Sequence, residues 1–185
     1  MDKRIVYTRF DGGVSVCCPT DECIAWMTGG GGIWDKEPPG FLEVQIERMI
    51  EAGHGADASR RFARAVQFGG CTTAEALGII RDRDCAHLGT AIELWDAGEI
   101  PADRWFRNAW RRSHNGGPIC IDLNLAKPIQ FQRIKAAIDK ENARRSADLY
   151  ARPIEIDAAA LRTQIIAADD ESKLRRIWPK ELARA

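Results

Sequence analysis

The 185 residues carry 27 Lys and Arg against 27 Asp and Glu, so no net field draws the chain to nucleic acid or an anionic membrane, and any such site must be a local patch. Apolar residues make up 45% and charged residues 29%, the balance of an ordinary globular chain and not of a disordered or fibrous one; a chain this long buries about 70% of its unfolded surface. No apolar run approaches a membrane span, and the opening MDKRIVYTRF lacks the apolar stretch and cleavage site of a secretory leader, so no membrane association is expected and the cytoplasm is the expected location.

Residues 4 to 18 read as a β-hairpin. Ile5 and Tyr7 alternate with Val6 and Thr8, Asp11-Gly12-Gly13 is a strong turn signal, Val14 and Val16 resume the alternation, and Pro19 closes it. A short helix is predicted from Asp21 to Met27, with Thr20 or Asp21 as its cap. Four glycines, Gly29 to Gly32, with Pro38 and Pro39, make residues 28–40 the candidate mobile loop. Leu42, Ile46, Met49 and Ile50 keep helical spacing up to Gly53, which stands where a C-cap belongs. Arg60 to Phe68 reads as the next helix, with Phe62 and Val66 inward and Gly69-Gly70 ending it. Thr72-x-x-Glu75 is a capping box for a third, whose apolar face is Ala76, Leu77 and Ile80 and whose end lies near Asp84.

The stretch from Thr90 to Leu123 reads as strand, helix, strand, and the rest of the fold is expected to organise around it. Ile92 and Leu94 alternate with Glu93 and Trp95, the period of a strand with one buried face. Pro101 and Asp103 suit a first helical turn. From there Ala102, Trp105, Phe106, Ala109 and Trp110 fall on one helical stripe, with Arg104, Arg107, Asn108 and Arg111 opposite and Arg111 and Arg112 near the last carbonyls. Each large apolar side chain fully buried contributes roughly 1.5–3 kcal/mol, so this stripe is the expected core nucleus. Asn115-Gly116-Gly117 ends the helix and turns the chain into a second strand, where Ile119, Ile121 and Leu123 alternate with Cys120 and Asp122.

After that unit Asn124 is placed to cap a long helix with Pro128 in its first turn and Phe131, Ile134 and Ile138 in its body. Past Glu141 the pattern turns polar (ENARRSAD) and the apolar stripe lapses, which points to an end in solvent or against a partner. Asp157 starts another helix with Leu161, Ile165 and Ile166 inward, and Ser172 caps a last short one ending at Trp178-Pro179. The expected class is α+β: an N-terminal hairpin and a central strand-helix-strand unit forming a small sheet, packed with several α-helices. The expected division is a core domain at 1–123 and a helical extension at 124–185.

Chemistry is harder to find. The glycine run lacks the Lys-Ser/Thr of a phosphate loop and the strand before it that a dinucleotide fingerprint requires, and Ile33-Trp34 follows instead. Cys17, Cys18, Cys23, Cys71, Cys85 and Cys120 show no Cys-x-x-Cys pair, and adjoining Cys17 and Cys18 point to opposite faces of a strand, so free thiols are expected and no metal or other cofactor is assigned. A metal protein or enzyme would require Cys17, Cys23, Cys85 and His87 to meet in space. No catalytic residue is assigned, because no nucleophile, zinc-peptidase or kinase motif is present. Arg60, Arg61 and Arg64 on one helix and Arg104, Arg107, Arg111 and Arg112 on another can meet nucleic-acid phosphates if the two helices lie side by side. The same periodicity predicts a solvated face, and the balanced total charge favours that.

From Thr72 onward the order of motifs resembles a group of small proteins encoded by tailed phages and integrated prophages. The resemblance rests on EALGIIRDRD (Glu75 to Asp84), IPADRWFRNAW (Ile100 to Trp110), the IDL-x-x-AK-x-I segment from Ile121 and ESKLRRIWP (Glu171 to Pro179), with YTRFDGGVSV (Tyr7 to Val16) as the opening hairpin. It departs in the insert from Cys23 to Phe68 and in a shorter long helix after Arg133. What the resemblance implies is a phage origin and an accessory role in virion or tail assembly. The expected function is therefore non-enzymatic binding of a protein partner, or self-association, through the helix from Asn124 to Tyr150 and the C-terminal helices. Nucleic-acid binding through the seven arginines is the alternative.

Overall fold

A computed structural model describes residues 2–148 and 150–182, and its chain opens with the expected hairpin. Strand β1 (Lys3–Arg9) pairs antiparallel with β2 (Val14–Cys17) in the register Ile5↔Cys17 and Val6↔Val16. Gly12, at φ +77°, supplies the left-handed residue of the turn, and Asp11 Oδ1 accepts the Gly13 N–H at 2.8 Å. Four helices follow: α1 (Asp21–Gly29), α2 (Phe41–Glu51), α3 (Ala56–Phe68) and α4 (Thr73–Asp84). Thr20 caps α1, and the Thr72–Glu75 capping box at the head of α4 is complete in both directions.

Strand β3 (Gly89–Asp96) then adds to the free edge of β1, giving the antiparallel order β2-β1-β3. Seven α-helices with small antiparallel sheets make the described residues an α+β fold, as expected. Alternation along β1 divides its side chains between two faces. Ile5 and Tyr7 join Ile24, Met27, Val66, Leu77 and Ile80 in one apolar core, while Thr8 is fully buried and donates its hydroxyl to the Ser113 carbonyl at 3.0 Å.

The glycine run is pinned, where the pattern suggests mobility. Gly31 and Gly32 donate to the carbonyls of Val66 and Gln67, and Gly70 donates back to Thr28. A Cβ on Gly69 would sit 2.6 Å from the Gly29 carbonyl carbon, so glycine here serves close backbone approach.

The largest correction concerns residues 101–112, which form no α-helix. Two 3-10 turns, Ala97–Glu99 and Arg107–Ala109, are followed by β4 (Trp110–Ser113), which pairs with β5 (Gly116–Ile121) as a second hairpin. The backbone is satisfied by short turns: Asp103 Oδ1 accepts the Trp105 N–H, and the Arg107 and Ala109 N–H groups donate to the carbonyls of Arg104 and Phe106. Asn115-Gly116 therefore turns a hairpin, with Gly116 at φ +93°, and does not end a helix. Phe106 and Trp110 are nonetheless buried, as expected, and Trp105 is half-buried. In β3, Leu94 is exposed and does not face a core.

The chain divides into two compact units, Met1–Ala102 with Arg111–Ile119, and Asp103–Trp110 with Cys120–Ala185. In the second, α5 (Leu123–Arg145) is capped by Asp122, whose carboxylate accepts from Asn124 and Leu125, and not by Asn124. Pro128 thus falls inside the helix, where its missing N–H leaves one backbone bond unmade. Asp157 caps α6 (Ala158–Ala167), and Asp170, not Ser172, caps α7 (Glu171–Arg176). Ile134, Ile138, Ile154, Leu161, Ile165 and Leu174 share this unit's core. Ile166, expected inward, is exposed. Fully buried Gln130 ties the core together: its Oε1 accepts the Trp105 indole N–H and its Nε2 donates to the Ile177 carbonyl, both at 2.8 Å. No described helix is long and apolar enough to cross a membrane.

Candidate functional site

Helix α2 has the apolar spacing of a core helix yet buries none of its residues. Its neighbour α3 turns Ala58, Ser59, Ala63, Ala65 and Val66 inward, a small-residue face that packs against α1 and α4 and leaves α2 as an outer layer resting on α3. A groove of about 560 Å³ therefore stays open between them, with Leu42, Ile46, Ile50 and Phe68 as its apolar lining. Ile50 at 37% and Phe68 at 68% exposure are large apolar side chains left wet in its lining.

The charged lining of the groove is segregated. Glu43 and Glu47 come from α2, and Arg60 and Arg64 from α3. Among the described residues none of these four side chains takes part in an ion pair, in contrast to Arg61, which reaches Asp57 at 3.9 Å and Asp82 at 3.6 Å. Phe68 and Arg64 also line a hollow of about 440 Å³ with Cys71, Glu75 and Ile79.

The arginines are dispersed. Arg60, Arg61 and Arg64 do share α3, but Arg104 and Arg107 belong to the irregular stretch of the second unit, and Arg111 and Arg112 to β4 in the first. Arg112, expected in solvent, is 4% exposed. Its guanidinium donates to the carbonyls of Gly117 at 2.7 Å and Ala91 at 2.9 Å, pairs with the Glu93 carboxylate, and lies 4.9 Å from the Trp95 ring. Arg104 lies over the Trp110 ring at 4.9 Å.

Two thiols do meet, Cys17 and Cys85. Cys85 is buried in the core of the first unit, with Cys17 and Cys23 packed against that core. The Cys85 thiol donates to Cys17, which holds Cys17 below the ordinary cysteine range and pushes Cys85 far above it; burial raises Cys23. His87 meets His54 instead, edge to face at 5.2 Å, and the His54 Nδ1 lies 2.9 Å from the Arg83 carbonyl. Among the described residues no group of three or more His, Cys, Asp or Glu is placed to hold a metal ion.

Sequence reasoning finds α2 as a helix and misses that its stripe stays open; the residues of α3 that line the groove with it are Arg60, Arg64 and Phe68, and no local pattern marks them as such. Neither a protein-family model, nor a curated protein, nor a solved structure matches the chain.

Proposed function

We propose that the protein is a non-enzymatic binding module that docks a polypeptide on the groove between α2 and α3. The carrying observation is a helix with Leu42, Ile46 and Ile50 in one row, none of them fully buried, lining an open groove. Apolar surface left in water in a contiguous strip is a mark of an interaction site. The C-terminal helices are the weaker surface, because Ile134, Ile138, Leu161, Ile165 and Leu174 are already committed to a core. The resemblance of the segments from Glu75 to Pro179 to proteins of tailed phages and prophages supports a phage origin and an accessory role in virion or tail assembly, exercised in the host cytoplasm.

Nucleic-acid binding is the lesser reading. Glu43 and Glu47 share the groove with Arg60 and Arg64, Arg61 is held by two aspartates, and Arg112 is buried. An electrophoretic shift at low salt that vanishes as salt rises would favour it.

The test compares two immobilised baits, the wild-type chain and Ile46→Asp/Phe68→Ser, matched by circular dichroism and melting temperature, in extract from the source host. The expected result is a polypeptide, this chain or another, retained by the first and lost by the second. Identical capture by both folded baits would end the reading.

A further inference from the structure

The groove has a property that a general docking surface does not need: its two walls carry opposite charge. The acids stand on α2 with Leu42, Ile46 and Ile50, and the bases stand on α3 with Phe68. The short connection at residues 52–55 makes the two helices antiparallel neighbours. A surface divided in this way matches its own image. Rotation by a half turn about an axis along the groove carries the acidic wall of one molecule onto the basic wall of another and closes the apolar lining of both between them. Rotation about an axis across the groove would set acid on acid, so the charges select one of the two arrangements.

We infer that the occupant of the groove is a second copy of this chain, joined about a two-fold axis that runs along it, with Glu43 and Glu47 of each copy facing Arg60 and Arg64 of the other. The inference rests on the reading of the groove as a docking surface and deepens it. Leu42, Ile46, Ile50 and Phe68 of both copies form the apolar centre, and α2 and α3 of the two copies make a four-helix layer. The centre supplies the affinity, whereas the rim pairs, being exposed, mainly set orientation. Because these four charged groups have no ion-pair partner within the described residues, no internal contact is broken to form the rim.

Light scattering after size exclusion of the full chain tests the inference, since the dimer has twice the 20.6 kDa chain mass. The charge swap Glu43→Lys/Glu47→Lys places base on base across the axis, and Arg60→Glu/Arg64→Glu places acid on acid. Each alone is expected to raise the dissociation constant by about tenfold or more, and an equimolar mixture of the two is expected to restore a dimer. A wild-type chain that stays monomeric up to about 1 mM overturns the inference, whatever the variants do. So does a dimer indifferent to both swaps, which would be joined elsewhere. If the wild-type bait retains a different protein while the chain is monomeric, docking on the groove stands and self-pairing falls. If it retains nothing and is monomeric, both fall.

Discussion

The side-chain amide of Asn142 grips the backbone of Ile154 from both sides, its Nδ2 donating to the carbonyl at 3.2 Å and its Oδ1 accepting the N–H at 2.6 Å. The segment 151–157 has no regular structure, and this pair substitutes for the ladder it lacks while Ile154 enters the core. Asn142→Ala should destabilise the protein by about 1–3 kcal/mol, since it strands two backbone groups at once. Chemical denaturation of both proteins measures this, and an unchanged midpoint would show the grip to be incidental.

Arg112 is the second sensitive position. Replacement by Met keeps the volume but leaves the carbonyls of Ala91 and Gly117 without their side-chain donor, while Glu93 keeps the Trp95 indole N–H and its access to water, so a loss of about 1–3 kcal/mol is expected. Arg112→Lys should recover only a small part, because an ammonium cannot reproduce the planar fork. Thermal melts of wild type, Met and Lys variants would contradict this if Lys matched wild type.

At the head of α4, Thr72 accepts from the Glu75 N–H and Glu75 accepts from Thr72, satisfying two otherwise unpaired helix donors. Thr72→Ala should lower stability by about 1 kcal/mol, and Thr72→Ser should preserve it. Equal destabilisation by both would place the effect outside the cap.

Hydrogen bonds from Arg144 and Arg145 bring the Glu141 carboxyl down to about 2. A carboxyl depressed in the folded state favours folding above its unfolded value near 4.3 and loses that contribution as pH falls toward its folded value. Melting temperature should therefore drop between about pH 4.5 and 2 by more in wild type than in Glu141→Gln. Parallel curves for the two proteins across that window would exclude Glu141 as a contributor.

Locally determined features were readable from the letters. The Asp11-Gly12-Gly13 turn, the Thr72–Glu75 box and the Asp157 cap each depend on residues within four positions, and each forms as read. The stretch from Pro101 to Ser113 defeats that approach because the spacing of Trp105, Phe106, Ala109 and Trp110 satisfies a helical stripe, while its determinants are distant. The Trp105 indole is answered by Gln130 on α5, and Arg112 by Ala91 and Glu93 on β3. Asn115-Gly116 is equally a hairpin signal and a helix-ending one, and only the pairing of β4 with β5 decides between them. The groove is invisible for the same reason: that α2 lies outermost is a fact about α3's other neighbours.

The order in which the two units are completed is set by the path of the chain. Residues 103–110 belong to the second unit but are synthesised before residues 111–119, which finish the first. On the ribosome, β1 and β3 can pair early, yet the guanidinium that fastens Ala91 and Glu93 arrives only after eight residues destined for the other unit have emerged. A single break in the chain, by a protease or at a chosen expression boundary, therefore cannot release both units whole.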